Sequence, residues 1–198
     1  MTRRQRRIAH DPRVQFFRGF LKSPKEVGSI IPSSRFLERR IVRCAGIGNA
    51  RTIVELGPGT GGTTRALLRA MRPDATLLAI EINSRFAEHL ERELPDPRLR
   101  VYRGSAADIG PALQECGLPA PDVVLSGIPF STMPRPLGSA ILDSAYSALT
   151  PGGRFVAYQV RDRVEMLGRP VFGPADVQTE LRNVPPMRVF SWHKPAGH

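Results

Sequence analysis

The feature that most constrains this chain is a β-branched apolar run, Thr52-Ile53-Val54, that passes through Glu55-Leu56 into the turn Gly57-Pro58-Gly59-Thr60-Gly61-Gly62. The residues that follow, 63–71, have helical periodicity, so the glycines stand at the strand-to-helix turn of a βαβ unit. A turn without Cβ atoms lets the backbone approach a ligand closely at the mouth of a helix. The pattern recurs along the chain. Residues 76–81, 99–103, 122–126 and 154–160 read as further strands, and 83–94 and 137–149 as helices. In the 83–94 helix Phe86, Leu90 and Leu94 are the expected core stripe. Such alternation predicts an α/β fold with a largely parallel sheet, and 198 residues suffice for one well-buried domain.

The spacing of Gly57, Gly59 and Gly62 satisfies the dinucleotide pattern G-x-G-x-x-G, which leaves nicotinamide cofactors open. Glu55 argues against them. A pyrophosphate on the helix N-terminus would have this carboxylate as a like-charged neighbour, whereas the ammonium and sulfonium of S-adenosylmethionine would be attracted to it. No Gly-Lys-Ser/Thr follows, so the turn is not a P-loop. Here the chain resembles the class I S-adenosylmethionine-dependent methyltransferases, whose first motif, acidic-x-Gly-x-Gly-x-Gly, is matched by Glu55, Gly57, Gly59 and Gly61. The resemblance implies a Rossmann-like, seven-stranded, mostly parallel sheet with helices on both faces, one antiparallel strand, and S-adenosylmethionine as cofactor. Residues 182–192 would close the sheet with a hairpin. Glu81, which ends the second strand, can accept both ribose hydroxyls. After the third strand many family members carry Gly-Asp-Ala, with the Asp on the adenine amino group. This chain has Gly104-Ser105-Ala106, so Ser105 offers one hydroxyl bond and Ala106 its backbone, while Asp108 reads equally well as a helix cap.

The loop after the fourth strand separates substrate classes. Adenine N6 methylases have Asn-x-Pro-aromatic there, the Asn orienting the exocyclic amine and the ring stacking on the base. In Ser126-Gly127-Ile128-Pro129-Phe130 the proline and aromatic match, but Gly127 stands at the Asn position. Together with Gly28-Ser29-Ile30-Ile31-Pro32-Ser33-Ser34 and the glycine turn, this loop makes the chain similar to the bacterial phospholipid N-methyltransferases, relatives of the rRNA adenine dimethylases. The likeness implies stepwise methylation of the phosphatidylethanolamine amine towards phosphatidylcholine at the membrane surface. It makes Ser33 and Ser34 candidates for the methionine carboxylate, with helix capping as their alternative role, and adds Ser126 to the cofactor-binding set. Tyr158 and His193 are candidates to accept a proton from the lipid ammonium or orient its nitrogen. Phe130 can offer a ring face to the cation. The plainer readings are a core tyrosine, an exposed histidine and a packed phenylalanine. Rival functions are an RNA adenine methylase, a small-molecule methyltransferase whose N-terminal helix is only a lid, and a silent module that binds cofactor or membrane.

Charge separates an arm from the domain. Residues 1–25 hold eight cations and one acid, Asp11, and so carry +7 of the formal net charge of +11. The domain is expected over 26–198. Between Asp11-Pro12 and Ser23-Pro24 the arm reads as a helix with Val14, Phe16, Phe17, Phe20 and Leu21 on one side and Arg13, Arg18 and Lys22 on the other. A basic amphipathic helix of this kind suits an anionic phospholipid surface, although an RNA-binding arm or simple packing on the domain also fits. Without a long apolar span or a signal-peptide core, the expected location is cytoplasmic, peripheral on the inner face of the cytoplasmic membrane. Cys44 and Cys116 lack the spacing of a disulfide framework or a metal site, so no metal is expected and both read as small buried hydrophobes. A second helix over 35–43 should turn Phe36, Leu37, Ile41 and Val42 inward. Residues 161–176, with Gly168, Pro170, Gly173 and Pro174, read as an irregular segment crossing the substrate side.

Overall fold

The run before the glycine turn is a central strand, β1 (Thr52–Leu56), with all five residues buried, as expected of a strand covered on both faces. In the computed structural model, which describes residues 33–197, it is joined by β2 (Thr76–Glu81), β3 (Leu99–Arg103), β4 (Val123–Ser126), β5 (Arg154–Gln159), β6 (Asp176–Glu180) and β7 (Met187–His193). The helices are α1 (Arg35–Ala45), α2 (Gly62–Ala70), α3 (Ser84–Glu93), α4 (Ile109–Glu115), α5 (Arg135–Ala148) and α6 (Arg163–Phe172). The sheet order is β3-β2-β1-β4-β5-β7-β6, with β7 antiparallel to both its neighbours and the other pairs parallel. This is the class I methyltransferase sheet that the resemblance implied.

Side chains alternate between the two faces. Ile53, Leu77, Leu125, Val156 and Val189 face α1 and α2, where Leu37, Ile41, Ala45 and Leu67 meet them. Val54, Leu78, Val124, Phe155 and Phe190 face α4, α5 and α6, where Ile109, Ile141, Leu142 and Leu167 cover them. The chain runs outward from β1 to β3 and then returns to β4 on the other side of β1. Strand order therefore reverses between β1 and β4, and a crevice opens at their carboxyl ends. The register puts Leu56 beside Ile80 and Ser126, and Ser126 beside Ala157, so the glycine turn, Glu81 and the Gly127 loop share that edge.

Several sequence expectations change. In α3 the buried positions are Ala87 and Leu90, while Phe86 and Leu94 are half-buried. In α1 they are Leu37, Ile41 and Ala45. Phe36 stays half-buried because its ring lies under the Arg182 guanidinium, 4.1 Å away. The segment expected to be irregular contains α6. Val164, Leu167 and Gly168 are buried there, and Gly168 lacks the Cβ that would stand 3.1 Å from the Trp192 ring. Pro170 forfeits a single N–H near the helix end, and long-range packing outweighs that loss. Both cysteines are free and half-buried, and burial pushes their thiols up. The arm, its helix and the loop up to Pro32 lie outside the described residues, so the boundary between arm and domain does too. Among the described residues no helix is long and apolar enough to cross a membrane.

Candidate functional site

The glycine turn is built on positive φ. Gly57, Gly59 and Gly61 have φ of 68°, 56° and 81°, a region in which side chains are strained. Two of the three also have no room for a side chain. A Cβ at Gly57 would meet Ile128 at 2.8 Å, and one at Gly61 would meet Leu90 at 2.6 Å. At Gly59 nothing lies within 4 Å of that position. Its N–H instead donates to Glu81 Oε2 at 3.1 Å, and the Asn83 N–H donates to Oε1 at 2.8 Å. Glu81 is thus aimed along the turn by two backbone donors, and each oxygen keeps capacity for a further hydroxyl. Burial raises its pKa, against those same donors.

Glu55 sits beneath the turn, 1 % exposed. Its Oε2 accepts from Thr64 Oγ1 at 2.7 Å, whereas Oε1 is buried with no partner among the described residues. Burial, with a smaller push from the Glu81 charge and against the Thr64 bond, lifts its pKa from 4.5 to about 7. A buried carboxylate oxygen with nothing to bind is costly unless a ligand cation completes it.

Beyond Glu81 the cleft becomes apolar. Ile82, Ala106, Ile128, Leu137 and Ile141 line it together with Gly57, Glu81 and Ser105. The Ser105 hydroxyl accepts from the Ala107 N–H at 3.2 Å and keeps its own proton to donate. Ser126 is fully buried at the end of β4, and its hydroxyl accepts from the Ile128 N–H at 3.3 Å, which shapes the following loop. Gln159 Nε2 donates to the Ile128 carbonyl at 2.7 Å and holds that loop from the next strand. Ser34 caps α1, accepting from the Leu37 N–H at 3.2 Å, and its own N–H donates to Asn183 Oδ1 at 2.9 Å. Ser33 precedes it and is half-buried.

For Phe130 and His193 the structure gives the plainer of the two readings. Phe130 is fully buried among core residues, so its ring offers no face to a cation; it packs beside Gly138, where a Cβ would stand 3.4 Å from it. His193 is exposed and pairs with Arg154 at the start of β5, the edge of the sheet opposite the crevice. Tyr158 does reach the crevice, but from below. Its hydroxyl is 3.0 Å from Thr63 Oγ1 in the first turn of α2, and burial, aided by the Glu55 charge, pushes the phenol up. A Cβ added at Gly127 would lie 2.5 Å from that hydroxyl and 3.5 Å from the Gly57 carbonyl. Tyr158 therefore fills the space that a side chain at position 127 would need.

Sequence reasoning missed Thr63 and Thr64 of α2, whose partners are Tyr158 on β5 and Glu55 on β1. It also missed the apolar walls at Ile82, Leu137 and Ile141. Ile82 was the findable one, since it directly follows the acid that ends β2.

The groups here could hold a cation at the unpartnered Glu55 Oε1, a vicinal diol at Glu81, which lines the cleft, and a flat, weakly polar ring between the apolar walls. S-adenosylmethionine has these three parts. Comparison with known proteins agrees. Residues 54–155 match the family model described as a methyltransferase domain. Over 177 residues the chain is 32 % identical to ornithine lipid N-methyltransferase of Singulisphaera acidiphila, covering 88 % of this chain and 92 % of that protein. It is 35 % identical over 118 residues to ribosomal RNA small subunit methyltransferase A of Nocardia farcinica, covering 56 % of this chain but only 38 % of that protein. Among solved structures, the N-methyltransferase NodS of Bradyrhizobium japonicum, in complex with S-adenosyl-l-homocysteine, superposes with a TM-score of 0.67 at 13 % identity, over 89 % of this chain and 98 % of that one. TrmN of Thermus thermophilus has a TM-score of 0.67 at 19 % identity, over 82 % of this chain and 53 % of that one. On its sheet order, its glycine turn and these matches, the chain belongs to the class I S-adenosylmethionine-dependent methyltransferases.

Proposed function

We propose that this methyltransferase acts on the headgroup amine of a membrane lipid, with phosphatidylethanolamine, methylated towards phosphatidylcholine, as the acceptor to test first. The observation that carries the reading is the contact between Gly127 and Tyr158. A hydroxyl 2.5 Å from the Cβ position at 127 leaves no room for the asparagine that adenine N6 methylases use to orient the base amine. The relative aligned along nearly its whole length is named for a lipid amine, which supports the same reading, and makes an ornithine-containing lipid the second acceptor to test.

When bound, S-adenosylmethionine supplies an electrophilic methyl group on a sulfonium. In this reading Glu55 takes the cationic end of the cofactor and Glu81 the ribose. Ser105 and the Ala106 backbone take the adenine edge. Ser33, Ser34 and Ser126 belong to the same set, the first two near the methionine carboxylate. The chain then has mainly to align nucleophile, carbon and sulfur and to exclude water, and alignment supplies much of the acceleration. Tyr158 supports the cofactor turn through Thr63 and is not assigned proton transfer. Tyr158→Phe is accordingly expected to keep methyl transfer within about threefold of wild type, since it removes one ordinary hydrogen bond. A fall of about a hundredfold or more, the size of a lost general base, would return Tyr158 to that role.

The test of the substrate is direct. Purified protein and S-adenosylmethionine labelled in the methyl group are incubated with vesicles of phosphatidylethanolamine and phosphatidylglycerol, with vesicles containing ornithine lipid, or with small-subunit ribosomal RNA. Label in either lipid supports the reading, and label in RNA alone overturns it.

A further inference from the structure

The register places the turn between β6 and β7 at the same edge of the sheet as the cofactor cleft. Gln159 at the end of β5 pairs with Arg188, and Glu180 pairs with Met187, so residues 181–186 project just beyond the carboxyl ends of the strands. Leu181 and Val184 in this turn are 73 % and 90 % exposed, more than any other large apolar side chain among the described residues. Val160, directly after β5, and Met166, in the first turns of α6, are also exposed near this edge.

The turn is braced from within. Between the two exposed side chains Asn183 is 1 % exposed; its Nδ2 donates to the Pro185 carbonyl at 3.0 Å and its Oδ1 accepts the Ser34 N–H at 2.9 Å. Arg182 donates to Glu180 at 3.0 Å and lies over the Phe36 ring. Leu181 and Val184 are thus held outward by a tied loop, an arrangement that water alone penalises. Exposed cations flank them. Arg35, Arg182 and Arg188 are exposed, whereas Glu180 is almost wholly buried behind Arg40 and Arg182, at 2.9 Å and 3.0 Å.

We propose that this turn is a membrane-docking tip, with Leu181 and Val184 entering the headgroup–acyl boundary of a bilayer and the surrounding arginines meeting its anionic lipids. Two apolar side chains on a narrow convex tip are too little for a stable protein interface, but they suffice for shallow insertion when cations assist. Insertion here brings the cleft mouth, on the same edge, down to the headgroups. The proposal rests on the amino-lipid reading above and concerns residues other than the 1–25 segment.

The test uses the full chain and vesicles of phosphatidylethanolamine and phosphatidylglycerol. In Val184→Trp the new indole is expected to shift to the blue on adding vesicles and to be quenched by spin labels placed shallowly in the acyl chains. The Leu181→Ser, Val184→Ser double variant is expected to partition onto vesicles about tenfold more weakly, the scale of two lost apolar anchors. Its transfer to detergent-dispersed lipid should be unchanged, and Val177→Ser, on the edge strand away from the tip, should bind as wild type does. An indole that neither shifts nor is quenched, together with unchanged partitioning of the double variant, overturns the tip; so does binding at this turn to a protein but not to lipid. If label enters lipid while the tip variants behave as wild type, the tip alone fails. If the tip inserts and no lipid is labelled, the amino-lipid reading fails and the tip stands.

Discussion

Replacing Gly59 with leucine is expected to weaken cofactor binding severely while leaving the protein folded. The φ of 56° costs an L-residue about 1–2 kcal/mol, and no protein atom lies within 4 Å of the new Cβ to add to it. The side chain enters space beside the turn whose N–H meets Glu81 at 3.1 Å, space that the proposed site gives to the ligand. Calorimetric titration with S-adenosylmethionine should show affinity reduced by about a hundredfold, which corresponds to about 2.7 kcal/mol, with the melting temperature lower by a few degrees. Binding within about threefold of wild type would contradict the placement of the cofactor on this turn. Alanine at Gly61 is the contrasting case. Its Cβ would press on Leu90 at 2.6 Å and Leu94 at 3.1 Å at a φ of 81°, so stability and binding should fall together.

Glu55→Gln is expected to separate stability from binding. With its pKa lifted by burial from 4.5 to about 7, the folded state holds a proton that the unfolded chain has already released. Stability therefore falls as pH rises from about 4.5 to about 7 and is level, for this group, above that. The neutral amide has no such loss, so at pH 8 the variant without cofactor should be more stable than wild type by on the order of 2–3 kcal/mol. Affinity moves the other way. In the proposed site ionised Glu55 attracts the sulfonium and ammonium, so wild-type affinity for S-adenosylmethionine should strengthen between pH 6 and pH 8. In Glu55→Gln it should be weaker by about thirtyfold or more and nearly flat with pH, the effect of an unpaired cation in a dry site. Denaturant unfolding without cofactor and titration with it, each at pH 6 and pH 8, check both signs. A variant that binds as tightly as wild type would remove Glu55 from the cationic end.

The contrast between Glu55 and Tyr158 shows what the sequence made legible. Glu55, the three glycines and Glu81 carry their meaning locally. A strand, a turn and a helix must follow in that order, so the order of residues along the chain is enough to single these positions out. What the sequence left open depends on contacts between units. Tyr158 comes to lie against Gly127 because β4 and β5 pair Ser126 with Ala157, a register that no short motif encodes. Phe130 is drawn into the core by α5 and Leu167, although its position in the loop after β4 suggested an open ring. The signals for an irregular stretch around Gly168 and Pro170 were real, but Trp192 on β7 made the missing Cβ an asset to a helix. Thr63 and Thr64 looked like ordinary helix residues until their partners, Tyr158 and Glu55, stood beside them.

The most direct test of lipid methylation is the lipid mass spectrum of bacterial cells that make no methylated amino lipids, after the full chain is produced in them. The account predicts new species of an amine lipid heavier by one, two or three methyl groups, absent when Gly59→Leu is produced instead. An unchanged lipid spectrum alongside newly methylated adenine in the small-subunit ribosomal RNA would contradict it.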